Sequence, residues 1–255
     1  MPVNPASPGS TVVMIPARLG STRLPDKPLA EIGGVPMIVQ VWRRAREADV
    51  GPVVVACAEE AIAEAVRRHG GEAVLTDPAL PSGSDRISAA LSVVDPARRF
   101  TRVVNLQGDL PTLSADAVRA SLRPLDELEA DIGTLVCPTE EQSEKDDPNV
   151  VKAIVAFDRR RPDLGRALYF TRACAPTGDG PVWHHIGIYA YRRRTLEQLA
   201  AMPPSPLERR ERLEQLRALE AGIKIGVAVV ETVPLGVDTP HDLARARALL
   251  ANRPA

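Results

Sequence analysis

Short apolar runs alternate with longer amphipathic stretches along the first half of the chain. Four runs rich in β-branched residues are typical of buried strands: 12–15, 53–57, 73–76 and 102–106. Apolar side chains at helical spacing predict helices over 37–48 and 59–69, and part of a third helix over 87–94. The second stretch stops at Gly70-Gly71, which is a helix-ending signal. This alternation predicts βα units and a mostly parallel sheet.

The second half of the chain has a different pattern. Strands are predicted over 134–138, 150–157, 167–172 and 186–191, and polar or Pro/Gly segments separate them where a parallel sheet would need crossover helices. An antiparallel extension of the sheet is therefore expected. A charged helix over 207–221, a strand over 224–230 and a terminal helix over 239–251 complete the prediction.

Aromatic residues are concentrated in this second half. Six of the eight aromatic side chains lie between positions 157 and 191, which indicates a core or a subunit interface rich in aromatic packing. No internal repeat or long linker divides the chain. We therefore predict a flexible leader at 1–11, rich in Pro, Ser and Gly, followed by a single domain at 12–255.

Composition narrows the class of protein. The 255 residues carry 32 Lys+Arg and 33 Asp+Glu, a net charge of −1, with 44% hydrophobic residues. That mixture is typical of a globular protein, and it lacks the basic excess of proteins that bind nucleic acid through phosphates. The three cysteines are far apart and have no zinc-ligand spacing. With no apolar run of membrane-spanning length and no secretory signal, we expect a cytoplasmic protein that binds no membrane.

The densest polar motif directly follows the first predicted strand. Residues 16–28 place three cations, Arg18, Arg23 and Lys27, around the small residues Gly20 and Ser21. Ligands of parallel α/β sheets bind beyond the carboxyl ends of the strands, and such a loop could hold a polyphosphate. It matches neither a Walker A loop nor a dinucleotide fingerprint. A solvated loop with incidental arginines would explain the same residues without a ligand.

Two aspartates follow other predicted strands. Asp109 ends the strand over 102–106 through Gln107-Gly108, and Asp238 precedes a helix for which Thr239 and Pro240 supply the start signal. Carboxylates at that edge of a sheet are natural ligands for a Mg²⁺ that bridges to phosphate. Asp109 could equally be a turn or capping residue.

Two further motifs carry weaker signals. Ser82-Gly83-Ser84 enters a helix and could present backbone amides to a base or a phosphate, although capping by Ser84 explains it equally well. His184-His185 precedes a predicted strand. A lone histidine pair is more often packed or at the surface than bound to a metal.

Taken in order, these motifs and several others resemble one enzyme family, the 3-deoxy-manno-octulosonate (Kdo) cytidylyltransferases, also called CMP-Kdo synthetases. The resemblance covers residues 12–250, and it rests on the following ordered set: Ile15-Pro16-Ala17-Arg18, Arg23-Leu24-Pro25-x-Lys27-Pro28, Ser82-Gly83-x-x-Arg86, Gln107-Gly108-Asp109, Asp147-Pro148-Asn149-x-Val151-Lys152, His185-x-Gly187-Ile188-Tyr189, Ser205-Pro206-Leu207-Glu208, Leu213-Glu214-Gln215-Leu216-Arg217 and Gly236-Val237-Asp238-Thr239-Pro240.

The resemblance implies a fold and an activity. The fold would be a Rossmann-like α/β nucleotidyltransferase fold with a mostly parallel central sheet, helices on both faces and a smaller antiparallel extension. The subregion at about 134–222 would bind the sugar and form a homodimer. The activity would convert CTP and Kdo into CMP-Kdo and pyrophosphate for lipopolysaccharide biosynthesis.

The resemblance also assigns residues. Arg18 and Lys27 would be catalytic and bind the CTP phosphates with Arg23 nearby, and the metal ligands Asp109 and Asp238 would be catalytic as well, through Mg²⁺. The remaining CTP contacts would come from Ser82, Arg86 and Gln107. The Kdo contacts would come from Gln107, Arg172, His185, Tyr189, Glu214 and Gln215, with Arg172 suited to the Kdo carboxylate because a guanidinium binds it in a bidentate fashion.

Three positions depart from the family pattern. Leu110 stands where the family commonly has Glu, Leu80-Pro81 where His often precedes the Ser-Gly turn, and Ala56-Cys57-Ala58 where a Thr-Asp pair is usual. The changes remove polar groups near the nucleotide edge and leave amino-substituted Kdo (8-amino-Kdo) open as the acceptor. The residues are also compatible with a cytidylyltransferase for sialic acid, an enzyme for a non-acidic sugar phosphate, or a non-catalytic nucleotide-binding regulator.

Overall fold

The computed structural model describes residues 10–21 and 23–251. Most of the predicted leader and Thr22 of the cationic loop lie outside these residues. Thr11, which the sequence assigns to the leader, already belongs to the first strand and is buried. The described residues group into two compact units, one within 1–118 and 234–255 and the other within 119–233. The prediction of one domain over 12–255 stays a prediction, and its proposed subregion at 134–222 falls inside the second unit.

Strands and helices alternate along the described residues. The strands are β1 Thr11–Ala17, β2 Glu31–Ile32, β3 Val35–Pro36, β4 Val53–Cys57, β5 Glu72–Leu75, β6 Arg102–Asn105, β7 Ile132–Thr139, β8 Lys152–Phe157, β9 Leu164–Thr171, β10 Val182–Arg192 and β11 Ile225–Val229. The α-helices are α1 Met37–Glu47, α2 Glu60–Arg68, α3 Gly83–Val94, α4 Ala115–Glu127, α5 Gln142–Asp146, α6 Arg193–Ala200, α7 Pro206–Glu211, α8 Gln215–Glu220 and α9 Pro240–Ala251.

The first unit is built on a parallel sheet. Its strands lie in the order β5-β4-β1-β6, and each neighbouring pair is parallel. Almost all side chains of β1 and β4 are buried on both faces, as expected for strands covered by crossover helices. The predicted βα alternation is confirmed. The carboxyl ends of β1, β4 and β6 therefore lie at one edge, where the chain leaves each strand into a polar loop.

The second unit has the antiparallel character that the sequence predicts. Strand β10 pairs antiparallel with β7 and β8, β9 pairs antiparallel with β8 and β11, and β11 pairs parallel with β7. These five strands form a closed ring of pairings. The Rossmann-like α/β fold class is confirmed. The expectation that the antiparallel extension would be the smaller part was wrong, because among the described residues it holds five strands and the parallel sheet of the first unit holds four.

One predicted helix was wrong, and other elements were missed. The stretch 207–221 forms two helices, α7 and α8, because Arg212 adopts a left-handed conformation with φ 58°. Arg217 then joins the two helices by pairing with Glu208. Helices α4 and α6 were not predicted from sequence, and α4 contains Pro124, a residue that normally argues against a helix.

The C-terminal segment packs back onto the start of the first unit. Val237 and Leu243 share a buried apolar cluster with Leu24, Ile32 and Met37. A backbone hydrogen bond also holds the segment in place, since the amide of Val237 donates to the carbonyl oxygen of Asp109 at 2.9 Å. Residues more than a hundred positions apart are thereby held side by side. Along the described residues, no helix combines the length and the apolar character that crossing a bilayer requires.

Candidate active site

A polar cavity of about 430 Å³ opens at the carboxyl ends of the first unit's strands. All eight residues that the sequence assigns to CTP or to the metal line it: Arg18, Arg23, Lys27, Ser82, Arg86, Gln107, Asp109 and Asp238. They come from the loops after β1 and β6, the start of α3 and the segment before α9. The structure thus brings together residues from four separate stretches of the chain, and their chemical roles remain predictions.

The cationic loop is anchored at both ends. Near its start, the amide of Leu19 donates to the Glu59 carboxylate at 3.1 Å. Near its end, a 3-10 helix at Lys27–Leu29 buries Pro28 and follows Asp26, which has a left-handed backbone with φ 51°. These contacts direct Lys27 toward the strand ends.

Lys27 bridges the two candidate metal-binding carboxylates. Its Nζ donates to Oδ2 of Asp109 at 2.8 Å and to Oδ1 of Asp238 at 2.9 Å. Burial lowers the pKa of Lys27, but the charges and hydrogen bonds of both carboxylates outweigh burial, and the pKa lies above its ordinary value. Lys27 therefore stays protonated, and its ammonium lies between two carboxylates.

The three arginines of the cavity have different partners. Nη2 of Arg23 lies 3.1 Å from Oδ2 of Asp238, although its side chain is 65% exposed. Arg86 is buried, and its Nη1 donates to Oγ1 of Thr76 at 2.6 Å and to the carbonyl oxygen of Asp77 at 3.2 Å. Arg18 is exposed and has no hydrogen-bond or ion-pair partner among residues 10–21 and 23–251. It is the cation most available to a phosphate.

The start of α3 combines a capping role with a close backbone approach. The N-cap is Ser82, since its hydroxyl accepts from the amide of Asp85 at 3.1 Å; the alternative interpretation of the motif had given this role to Ser84. A Cβ on Gly83 would meet the ring of Pro16 at 3.2 Å, and a Cβ on Gly108 would meet the carbonyl oxygen of Pro16 at 3.0 Å. These two glycines allow the three loops to approach one another around the cavity.

Asp109 and Asp238 are compatible with Mg²⁺. Both are oxygen donors, both contact the same ammonium, and Mg²⁺ is commonly held by one or two carboxylates while waters and substrate phosphates supply its other ligands. A cluster of three or more His, Cys, Asp or Glu side chains suited to a metal does not occur among the described residues.

In the second unit, His185 lies on β10 among aromatic rings. Its centroid is 4.8 Å from that of Phe170 in an edge contact and 5.5 Å from that of Tyr189. Burial, and the neighbouring His184, lower the pKa of His185 to about 3. Burial also raises the pKa of the Tyr189 phenol well above its ordinary value. Both side chains are neutral near pH 7 and can only exchange hydrogen bonds with a ligand.

Three more of the predicted sugar-side residues lie at or contact the turn between α7 and α8: Arg172, Glu214 and Gln215. Glu214 is exposed and Gln215 is buried at the start of α8. Arg172 donates through Nε to the carbonyl oxygen of Glu211 at 2.8 Å and through Nη1 to that of Pro148 at 2.8 Å. Its guanidinium therefore ties the Asp147-Pro148 turn to the end of α7. Three carbonyl bonds, the third to Arg212, leave two of its five N–H groups for a carboxylate.

Sequence reasoning missed two residues that support these groups. Glu59 anchors the cationic loop through the amide of Leu19, and the fully buried Thr134 contacts Nε2 of His185 at 3.0 Å. Glu59 could have been noticed as an acid just beyond a strand end. Thr134 carries no such signal, because a threonine in a strand is ordinary.

Comparison with known proteins gives a consistent result. A family described as cytidylyltransferase matches residues 12–225. The 3-deoxy-manno-octulosonate cytidylyltransferase of Parvibaculum lavamentivorans is 61% identical over 96% of this chain and 94% of its own length. That of Rhodospirillum centenum is 61% identical over 97% and 96%. A solved structure of CMP:2-keto-3-deoxy-manno-octonic acid synthetase complexed with CTP has a TM-score of 0.86 at 37% identity, covering 95% of this chain and 98% of that one.

Proposed function

Because the chain belongs to the cytidylyltransferase family, we propose that it is the nucleotidyltransferase that activates Kdo with CTP, giving CMP-Kdo and pyrophosphate for lipopolysaccharide biosynthesis. One observation carries the proposal. The eight residues that the motifs assign to CTP and metal line a single cavity, and four of them are cationic: Arg18, Arg23, Lys27 and Arg86. Such a cavity offers a triphosphate both charge neutralisation and room.

The charge arrangement supports a triphosphate at the start of the cationic loop. Arg18 has no competing partner among the described residues, so its guanidinium can hold the departing phosphates without breaking an existing contact. Lys27 adds a fixed positive charge beside them. Cations placed where pyrophosphate leaves stabilise the charge that develops in the transition state.

Asp109 and Asp238 would hold Mg²⁺. When bound, the ion supplies charge neutralisation at the α-phosphate and lowers the pKa of an attacking hydroxyl. Both carboxylates now contact Lys27, so the ammonium has to leave at least one of them and move toward the phosphates. Its place in the loop after β1, facing the same cavity as Arg18, allows this exchange.

The sugar acid would be recognised through Gln107, Arg172, His185, Tyr189, Glu214 and Gln215. Arg172 retains N–H groups for the Kdo carboxylate. The neutral His185 and Tyr189 suit hydroxyl groups, since neither carries charge near pH 7. The site combines one cation, the carboxylate of Glu214 and several neutral groups, which together can bind the carboxylate and the hydroxyl groups of a sugar acid.

The reaction joins two anions. The anomeric hydroxyl oxygen of Kdo attacks the α-phosphorus of CTP, the bond from that phosphorus to the bridging oxygen breaks, and pyrophosphate leaves with the electron pair. The hydroxyl proton passes to solvent, because we assign no side chain of residues 10–21 and 23–251 as a general base. The protein's task is to offset repulsion between the carboxylate and the triphosphate, which explains why cations dominate the cavity.

Pyrophosphate release tests the proposal directly. With CTP and Mg²⁺, the protein should release pyrophosphate with Kdo, and far less with sialic acid or when UTP replaces CTP. A parallel reaction with 8-amino-Kdo examines the amino-substituted acceptor. Release only with sialic acid, or with no acid tested, would overturn the proposal and favour the related enzyme or a nucleotide-binding regulator. Asp109→Asn should lower turnover by about 10²-fold or more even at saturating Mg²⁺.

The proposal extends to assembly and location. We expect a homodimer formed through the second unit, where Leu168 is 47% exposed on β9 and where aromatic side chains are concentrated. We also expect the enzyme to act in the cytoplasm, where CTP is available. Sedimentation equilibrium measures the first property, and fractionation of cells measures the second.

A further inference from the structure

The hydroxyl of Thr134 lies at the centre of a buried hydrogen-bond network. Its Oγ1 is 2.8 Å from the carbonyl oxygen of Ile188, 3.2 Å from that of Ile186 and 3.0 Å from Nε2 of His185. Thr134 lies on β7 opposite an irregularity of β10, whose register shifts between Ile186 and Ala190. The network is therefore built into two paired strands.

Counting protons in this network fixes the direction of each bond. A threonine hydroxyl has one proton, and a carbonyl oxygen can only accept. The proton of Thr134 goes to the nearer carbonyl oxygen, that of Ile188. The hydroxyl oxygen can then only accept from His185, which places the imidazole proton on Nε2. A neutral imidazole has a single N–H, so Nδ1 carries a lone pair.

Nδ1 of His185 remains available to a ligand. No residue in the described part of the chain hydrogen-bonds to it. The edge contact with Phe170 and the tilted contact with Tyr189 fix the ring plane. The structure thus holds an oriented imidazole whose Nδ1 has no partner among the described residues.

We propose that Thr134 fixes the Nε2–H tautomer of His185, so that Nδ1 accepts a hydrogen bond from a substrate hydroxyl. This inference rests on the proposed function, in which His185 faces the sugar acid. Thr134 is a positioning residue, because it acts through His185. A nitrogen lone pair repels a carboxylate oxygen and attracts an O–H. His185 therefore selects a hydroxyl donor of the acceptor sugar, and the carboxylate is left to a cation.

Nuclear magnetic resonance tests the tautomer without reference to activity. Long-range ¹H–¹⁵N correlation of ¹⁵N-histidine-labelled protein distinguishes a protonated ring nitrogen from a bare one, and His185→Gln assigns the signals. We expect a protonated Nε2 and a bare Nδ1 in the wild type. Adding Kdo with Mg²⁺ and α,β-methylene-CTP should move the Nδ1 resonance toward a hydrogen-bonded value. The inference is overturned if the proton is found on Nδ1, or if the Nδ1 chemical shift does not change when Kdo is added.

Two variants of Thr134 separate positioning from folding. Thr134→Val keeps the shape and removes the hydroxyl, whereas Thr134→Ser keeps the hydroxyl. We expect Val to produce a mixture of tautomers and to raise KM for Kdo about fivefold to tenfold, the loss of one hydrogen bond, with kcat and the KM for CTP little changed. Ser should restore both the spectrum and KM. If Val left the tautomer and the KM for Kdo unchanged while the protein stayed folded by circular dichroism, Thr134 would have no positioning role.

The two proposals fail in different ways. If wild-type protein released no pyrophosphate with Kdo, the proposed function would fail, although the histidine spectrum could still show the Nε2–H form. If it did release pyrophosphate but the spectrum showed an Nδ1–H form, the enzyme would stand and the inference would be wrong.

Discussion

At the scale of single residues, Lys27 has the most demanding position. Its ammonium holds together two carboxylates that would otherwise repel each other, and it competes with any divalent cation for them. We predict that Lys27→Met binds Mn²⁺ about tenfold more tightly than wild type without nucleotide, equivalent to about 1.4 kcal/mol. Turnover should nevertheless fall by about 10²-fold or more, because the charge beside the leaving pyrophosphate is lost.

Electron paramagnetic resonance of free Mn²⁺ measures the first effect, and pyrophosphate release measures the second. Arg23→Gln is the matched control. Among the described residues Arg23 pairs only with Asp238, from a side chain that is mostly exposed, so this variant should change Mn²⁺ affinity much less. Weaker Mn²⁺ binding by Lys27→Met would show that the ammonium organises the carboxylates for the metal and does not compete with it.

His185 should make the stability of the protein depend on pH. Its pKa is about 3 in the folded protein and 6.5 ordinarily, so the unfolded chain takes up this proton first as the pH falls. The stabilising contribution is complete above pH 6.5 and is lost progressively between pH 6.5 and about 3. The slope reaches up to about 1.4 kcal/mol per pH unit. Urea unfolding of wild type and His185→Gln at pH 7.5, 6.0 and 5.0 should show a shallower acid dependence in the variant, and parallel curves would contradict the prediction.

At the scale of elements, two paired glycines determine how α4 packs on the sheet. Gly133 of β7 and Gly226 of β11 are register partners. A Cβ at Gly133 would clash with the carbonyl oxygen of Ser121, and one at Gly226 would lie 2.6 Å from Cβ of Pro124. Both contacts are with α4, so its closeness to the strands depends on the absence of side chains.

We predict that Gly133→Ala lowers the free energy of unfolding by about 1–3 kcal/mol, the usual cost of overpacking a core. Gly187→Ala on β10 is the matched control, because no atom lies within 4 Å of its added Cβ, and it should change stability by less than about 0.5 kcal/mol. Urea unfolding measures both. Equal effects would mean that backbone freedom, and not contact with α4, governs Gly133.

At the scale of the whole molecule, sequence predicted strongly periodic elements better than irregular ones. The runs that form β1 and β4 are apolar on both faces and are bounded by polar loops. Sequence alone therefore identified them as buried strands. Helices α7 and α8 looked like one helix, because nothing in the residue types marks the left-handed backbone of Arg212. The ordered motifs predicted which residues line the cavity. They could not show that Lys27 pairs with both aspartates, because such contacts depend on tertiary packing.

The eight residues assigned to CTP and to the metal all belong to the first unit, which leads to a prediction about the effect of CTP. A ligand present at 100 times its Kd adds about 2.7 kcal/mol to the stability of the state that binds it, and local openings that expose its contacts are suppressed accordingly. CTP should therefore slow hydrogen exchange most strongly in residues 16–28 and around Asp109 and Asp238, which line the cavity. The β8–β9 hairpin, residues 152–171, contributes nothing to that lining and should change least. Mass spectrometry of exchange with and without CTP measures this, with UTP as the control for the triphosphate alone. Identical exchange of residues 16–28 in both states would place the nucleotide elsewhere.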